Sequence, residues 1–332
     1  MKRLLVMMLC SMLLILTGCS GGNQHSQSTG NHKLQKVTIM LDWYPNAVHS
    51  FLYVAKEKGY FKEQGLDVDI KMPADTNDPL KMVAANQIDI ALSYQPEVLV
   101  ARGQHIPVQS FAAIVRHPLN TLMVPAKGSV QSPKDLAGKT VGYPSVPLDE
   151  AIVDTMVKSD GGNPKKVKMV DVGWDLIPAM ARNKTNGLIG GYINHEELLL
   201  EKEGHPMKAF SPTEYGVPDY YELVFVASEK ALKQKKDMYK KFMAAASKGQ
   251  QYVKNHPKQS LNILLKHEEK SAPLDKQVET KSLNILLPLM DAKKQPFGYQ
   301  DANTWKKVGD WLYQQKLLKS KIDTKSAYVN LD

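Results

Sequence analysis

Val37-Thr38-Ile39-Met40-Leu41-Asp42-Trp43-Tyr44-Pro45-Asn46 opens the stretch that decides the fold. Phe51-Leu52-Tyr53-Val54-Ala55 follows it and then, beyond Gly59 and Gly65, Leu66-Asp67-Val68-Asp69-Ile70. The first run is apolar and partly β-branched, as a strand covered on both faces must be. Phe51, Leu52, Val54 and Ala55 recur at helical spacing, and the pattern stops at Gly59. Leu66 to Ile70 alternates apolar and acidic, which predicts a second strand. A strand, a helix and a strand in such short order form a βαβ unit, whose strands run parallel.

The same grammar continues outward. Leu80, Met82, Val83 and Ala84 predict a helix, and 88–92 a third strand. It restarts at 140–142 (strand), 151–157 (helix), 167–172 (strand), 176–181 (helix) and 188–189 (strand). The ends of the two halves look alike: Ala91-Leu92-Ser93-Tyr94 and Ile189-Gly190-Gly191-Tyr192. Leu223 to Ala227 is one more strand. Beyond it helices are expected at 238–253, 260–266, 280–290 and 303–318. The chain therefore reads as α/β with two lobes, each a mostly parallel sheet flanked by helices. Residues 36–116 and 223–332 form lobe 1, and 117–222 form lobe 2. Crossing strands are expected near 112–122 and 220–226, with a ligand in the cleft between the lobes.

The length of 332 residues suits two cores. With 43% hydrophobic and 23% charged residues the body is ordinary globular protein. The net charge of +9 comes from lysines scattered among carboxylates. No arginine-rich run interleaved with aromatics occurs, so no nucleic acid is expected as a partner. The two cysteines, Cys10 and Cys19, both precede the body, which excludes thiol proteases, cysteine zinc sites and thiol redox chemistry there.

Met1-Lys2-Arg3 is a positive start, and the run from Leu4 to Leu16 is apolar except for Ser11. Such a run is short for a bilayer span and reads as a signal-peptide core. It ends in Leu16-Thr17-Gly18-Cys19, similar to a bacterial lipobox. Residues 1–18 are then a lipoprotein signal peptide and Cys19 the lipid-anchor residue. Residues 19–35, nearly all polar or glycine, form a flexible tether. The body is expected at the outer face of the cytoplasmic membrane, held by the lipid anchor.

Ligands in open α/β sheets bind beyond the carboxyl ends of the strands. The residues after the expected strands are Asp42-Trp43-Tyr44, Ser93-Tyr94, Tyr143, Trp174 and Tyr192. Every end carries an aromatic although aromatics make up only 8% of the chain, so flat walls for a planar ligand are expected. Trp43, Tyr94, Tyr143, Trp174 and Tyr192 are the candidate walls, with Tyr221 near the hinge. Asn46, His49, Ser93, Asn194 and Glu196 are the candidate polar groups. A carboxylate beside an aromatic wall accepts hydrogen bonds from an exocyclic amine, which suits an aminopyrimidine. No catalytic residue, metal ligand or cofactor is expected.

Leu41-Asp42-Trp43-Tyr44-Pro45-Asn46 with His49, and Gly59-Tyr60-Phe61-Lys62-Glu63-Gln64-Gly65-Leu66, resemble the NMT1/THI5-like family. Gly190-Gly191-Tyr192-Ile193-Asn194-His195-Glu196 and Asp219-Tyr220-Tyr221-Glu222-Leu223 resemble its branch of formylaminopyrimidine-binding lipoproteins. The resemblance implies a type-2 periplasmic-binding-protein fold and, as partners, a small aromatic heterocycle and the permease and ATPase subunits of an ABC transporter. A monomer is expected. The family also has an enzyme branch that makes a pyrimidine phosphate, with a lysine for pyridoxal phosphate, a histidine consumed as substrate and a cysteine cluster. Ser93 and Glu97 stand at the lysine and histidine positions here, and no cysteine falls near Asp219 to Glu222. A Schiff base needs an amine, so a binder is expected rather than an enzyme. A binder of a sulfonate or another oxyanion is the alternative, disfavoured by strand ends that carry carboxylates and no arginine.

Overall fold

The computed structural model describes residues 33–331. The signal peptide, Cys19 and nearly all of the expected tether lie outside the described residues. Ten strands make two sheets. β1 (Gln35–Met40), β2 (Leu66–Lys71), β3 (Ile90–Ser93) and β4 (Val108–Val115) share the first sheet with β10 (Leu223–Ser228). β5 (Asn120–Pro125), β6 (Thr140–Tyr143), β7 (Lys168–Asp171), β8 (Gly187–Tyr192) and β9 (Met207–Phe210) form the second. β1 takes in Gln35, which the sequence reading had placed in the tether; Gln35 pairs with Leu66 across a parallel ladder.

The two sheets share one topology, β2-β1-β3-β10-β4 and β7-β6-β8-β5-β9. In each, one strand runs against the others: β10 is antiparallel to β3 and β4, and β5 is antiparallel to β8 and β9. Those two are the strands at which the chain arrives from the opposite sheet. A chain that crosses at the cleft end of a sheet must enter it in the reverse sense, whereas βαβ crossovers return it in the same sense. β10 is buried along its whole length, and its Leu-Val-Phe-Val-Ala sequence answers to helices on both faces.

Packing of the long helix Lys236–Asn255 on Ser50–Glu57 is closest at Gly249, where an added Cβ would come 2.3 Å from the Phe51 carbonyl. The two crossings between the sheets run at 116–119 and 211–222. Glu222 joins them: its Oε2 accepts from the amides of Leu119 (2.7 Å) and Asn120 (2.9 Å). Among the described residues no helix is long and apolar enough to cross a membrane.

Candidate ligand-binding site

The carboxyl ends of β1, β3, β6 and β8 converge on a cavity between the two sheets. The first lobe contributes Asp42, Trp43, Asn46, Val48, Thr76 and Tyr94. The second contributes Pro144, Val146, Gly190, Tyr192, His195 and Glu196.

The wall from the first lobe is set by the turn after β1. Asn46 caps the short helix Ala47–His49, its Oδ1 accepting from Val48 N at 3.1 Å. In return the His49 Nδ1 accepts from Asn46 N at 3.2 Å. His49 is therefore fully buried with its Nε2 proton directed at Asp42 Oδ1, 2.9 Å away. The histidine holds the Asp42 carboxylate in place from behind and does not line the cavity.

The wall from the second lobe is set by the turn after β8. Glu196 opens the helix Glu196–Lys202 and is 4% exposed. Its Oε2 accepts from Tyr192 N at 2.9 Å, and its Oε1 accepts from His195 Nδ1 at 2.7 Å. Burial opposes charge on both partners, but their attraction and the amide bond prevail. The Glu196 carboxyl is held below its usual range and the His195 imidazole above its own. The pair is an ion pair with its carboxylate at the cavity wall. The Tyr44 hydroxyl reaches His195 Nε2 from the first lobe at 3.4 Å. Gly190 permits the close approach of Pro144: its φ of +87° is open to glycine, and an added Cβ would lie 2.4 Å from Pro144 Cδ.

The lobes meet around the cavity. Trp174 lies over Trp43 with ring centroids 4.0 Å apart. Thr76 Oγ1 donates to the Pro144 carbonyl at 3.2 Å. Lys202 pairs with Asp275. The structure is therefore a closed form.

Of the residues singled out in the sequence, Trp43, Asn46, Tyr94, Tyr192 and Glu196 line the cavity. The others do not. Ser93, the last residue of β3, donates to Glu97 at 3.2 Å. Tyr143 turns outward to Glu150, whose carboxylate pushes its ionisation up to about 12; Pro144 and Val146 line the cavity instead. Trp174 is 37% exposed and forms the outer cover of Trp43. Asn194 is buried, its Nδ2 donating to Ser282 Oγ at 2.9 Å across the lobe interface. The Tyr221 hydroxyl accepts from Asp301 N at 2.8 Å, and its ring packs under Arg116. His195, whose orientation the sequence left open, does line the cavity. Asp42, Val48, Thr76, Pro144, Val146 and Gly190 were missed. Asp42 alone carried a signal, as the first polar residue after β1.

A second cavity adjoins the first, sharing Tyr94, Pro144, Val146, Gly190 and Tyr192. Asn120, Leu148, Asp149, Tyr220 and Glu222 complete it. Among the described residues no group of three or more His, Cys, Asp or Glu is placed to hold a metal ion.

Comparison with known proteins adds four findings. The family model described as NMT1/THI5 like matches residues 46–260. The chain is 41% identical over 332 residues, all of it and 99% of the relative, to a formylaminopyrimidine-binding protein of Halalkalibacterium halodurans. It is 24% identical to a 4-amino-5-hydroxymethyl-2-methylpyrimidine phosphate synthase of Legionella pneumophila, covering 89% of the chain and 91% of the relative. In fold it is similar to the alkanesulfonate-binding protein of Xanthomonas axonopodis pv. citri bound to MOPS. That likeness has a TM-score of 0.70 at 13% identity, covering 90% of this chain and 99% of the other.

Proposed function

The chain belongs to the NMT1/THI5-like family, and on that premise we propose that it is the solute-binding component of an ABC importer. Its solute is a thiamine-precursor pyrimidine of the formylaminopyrimidine type. One observation carries the reading: the cavity between the lobes combines aromatic residues of both lobes (Trp43, Tyr94, Tyr192) with an ionised carboxylate, Glu196. Aromatic faces suit a planar heterocycle, and a carboxylate accepts from its exocyclic amine. A buried carboxylate at the wall repels a sulfonate or nitrate, which needs donors instead. The protein binds without chemistry. Ser93 has no amine to form a Schiff base with pyridoxal phosphate and is spent on Glu97.

Cys19 carries the lipid anchor in this reading and holds a monomeric body at the outer face of the membrane, within reach of the permease and its ATPase partner. The test is titration of the purified chain with formylaminopyrimidine, followed by calorimetry and tryptophan fluorescence. Saturable one-to-one binding that quenches or shifts the emission of Trp43 and Trp174 is the expected outcome. No binding of the pyrimidine, with binding of a sulfonate or nitrate instead, would move the protein to the oxyanion binders.

A further inference from the structure

The second cavity has a composition that stacking on a ring does not require. Asp149 is 2% exposed, and one of its oxygens, Oδ1, accepts from Asn120 Nδ2 at 2.7 Å. Its Oδ2 makes no hydrogen bond among the described residues and lies beside Gly190, where an added Cβ would meet it at 2.9 Å. Glu222, 3% exposed, forms another part of the wall. The Asn120 amide has its oxygen committed to Gly190 N and its nitrogen to Asp149. The Tyr192 and Tyr220 hydroxyls both donate to Glu222, each at 3.3 Å. No Lys, Arg or His is among the residues lining the compartment. The balance is two carboxyls, an acceptor atom left over, and the Tyr192 and Tyr220 hydroxyls already given to Glu222. Two buried carboxyls without a counter-charge are costly as anions, and what they lack is a donor-rich cation.

We propose that this compartment is a cation subsite that takes a primary ammonium group carried on a substituent of the heterocycle. The proposal rests on the reading of the adjoining cleft as a heterocycle site, because the shared walls Tyr94, Gly190 and Tyr192 let one ligand reach from one cavity into the other. The protein then captures the free amine of its ligand class as well as the formylated form. An ammonium supplies three donors, enough for Asp149 Oδ2 and a Glu222 oxygen together. Before it arrives, burial holds Asp149 and Glu222 protonated up to about pH 8 and about pH 7. The groups around them are Glu97, Asp42, Tyr94, Tyr192 and Tyr220, none of them cationic at neutral pH. Entry of the cation ionises the carboxyls and releases their protons to solvent.

Calorimetric titration of the full chain with formylaminopyrimidine and with its deformylated amine tests this, in two buffers of different ionisation enthalpy at about pH 6 and about pH 8. The expected result is saturable binding of the amine with proton release, tighter at the higher pH, and a weaker pH dependence for the formylated compound. Asp149→Asn keeps the shape of the side chain and an oxygen for Asn120. It is expected to shift the ratio of the two affinities against the amine by roughly tenfold or more, the size of a hydrogen bond to a charged group. An amine that fails to bind while the formylated compound binds overturns the subsite and leaves the cleft reading intact. Equal losses for both ligands in the variant do the same. No response to either compound removes both readings. The proton release is read on the unaltered protein, so a variant that failed to fold would not shelter the proposal.

Discussion

Glu196 is the residue on which the cleft turns. It accepts from a backbone amide on one oxygen and from His195 on the other, and both contacts fix a negative charge at the wall. Glu196→Gln removes the charge and forces an NH2 toward one of two donors, Tyr192 N or His195 Nδ1. Pyrimidine binding is expected to weaken by about 1.5–3 kcal/mol, as for a hydrogen bond to a charged group. Unchanged affinity in calorimetry would take Glu196 out of the site. At this scale the sequence placed Asn46 and Glu196 at the site but also offered His49, whose partners, though local, it did not foresee. The Asn46–His49 capping pair spans three residues and the Glu196–Tyr192 bond four. It was uninformative where the partner is distant, as for Asn194 with Ser282 or Tyr221 with Asp301.

The elements that close the site are the turns after β1 and β7. Trp43 and Trp174 sit on them, and their rings meet across the cleft at an interplanar angle of 32°. An aromatic pair of this kind adds about 0.5–1.5 kcal/mol beyond the area it buries. Trp174→Ala is therefore expected to weaken pyrimidine binding by roughly two- to tenfold. Stopped-flow fluorescence should place the change in faster release, since the cover is lost from the closed form. A change confined to the association rate would mean that Trp174 guides entry and does not hold the lobes shut. Strand and helix positions were legible because their periods, 2 and 3.6, are local. β9 was not foreseen: Met207–Phe210 is half-buried and too short to show alternation. The outward turn of Tyr143 was also hidden, since the last pleat of β6 decides which of Tyr143 and Pro144 meets the cavity.

Across the molecule, the two sheets close on a buried acidic centre. Asp149, Glu222 and Glu97 keep their protons to about pH 8, 7 and 7 in the folded protein because burial opposes their charge. In the unfolded chain they lose them near pH 4. Between those limits the unfolded chain binds fewer protons, so stability falls as pH rises. The contribution is complete below about pH 4 and gone above about pH 8. His195, raised by Glu196 against the effect of burial, acts in the same direction. The melting temperature of the unliganded protein should thus fall from about pH 5 to about pH 8, and Asp149→Asn should flatten the slope. A melting temperature that is level or rises over this range would contradict a buried, unpaired cluster.

By itself the sequence determined the two-lobed α/β design, the aromatic residue beyond each of the main strands and the family. All three are carried by short-range patterns, in which a residue's neighbours in the chain set its backbone period and its position at a strand end. Tertiary structure alone decided which of those residues face the ligand. Closure of β10 into the first sheet brings Glu222 to the amides of Leu119 and Asn120, more than a hundred residues earlier. Pairing of β5 with β8 in the second sheet sets Asn120 against Asp149 at one wall, and Tyr221 stays in the core. The acidic compartment consists of residues from five separate segments, and its charge balance exists only where they meet. Desolvation acts on the assembled cavity, and no local pattern in the chain records it.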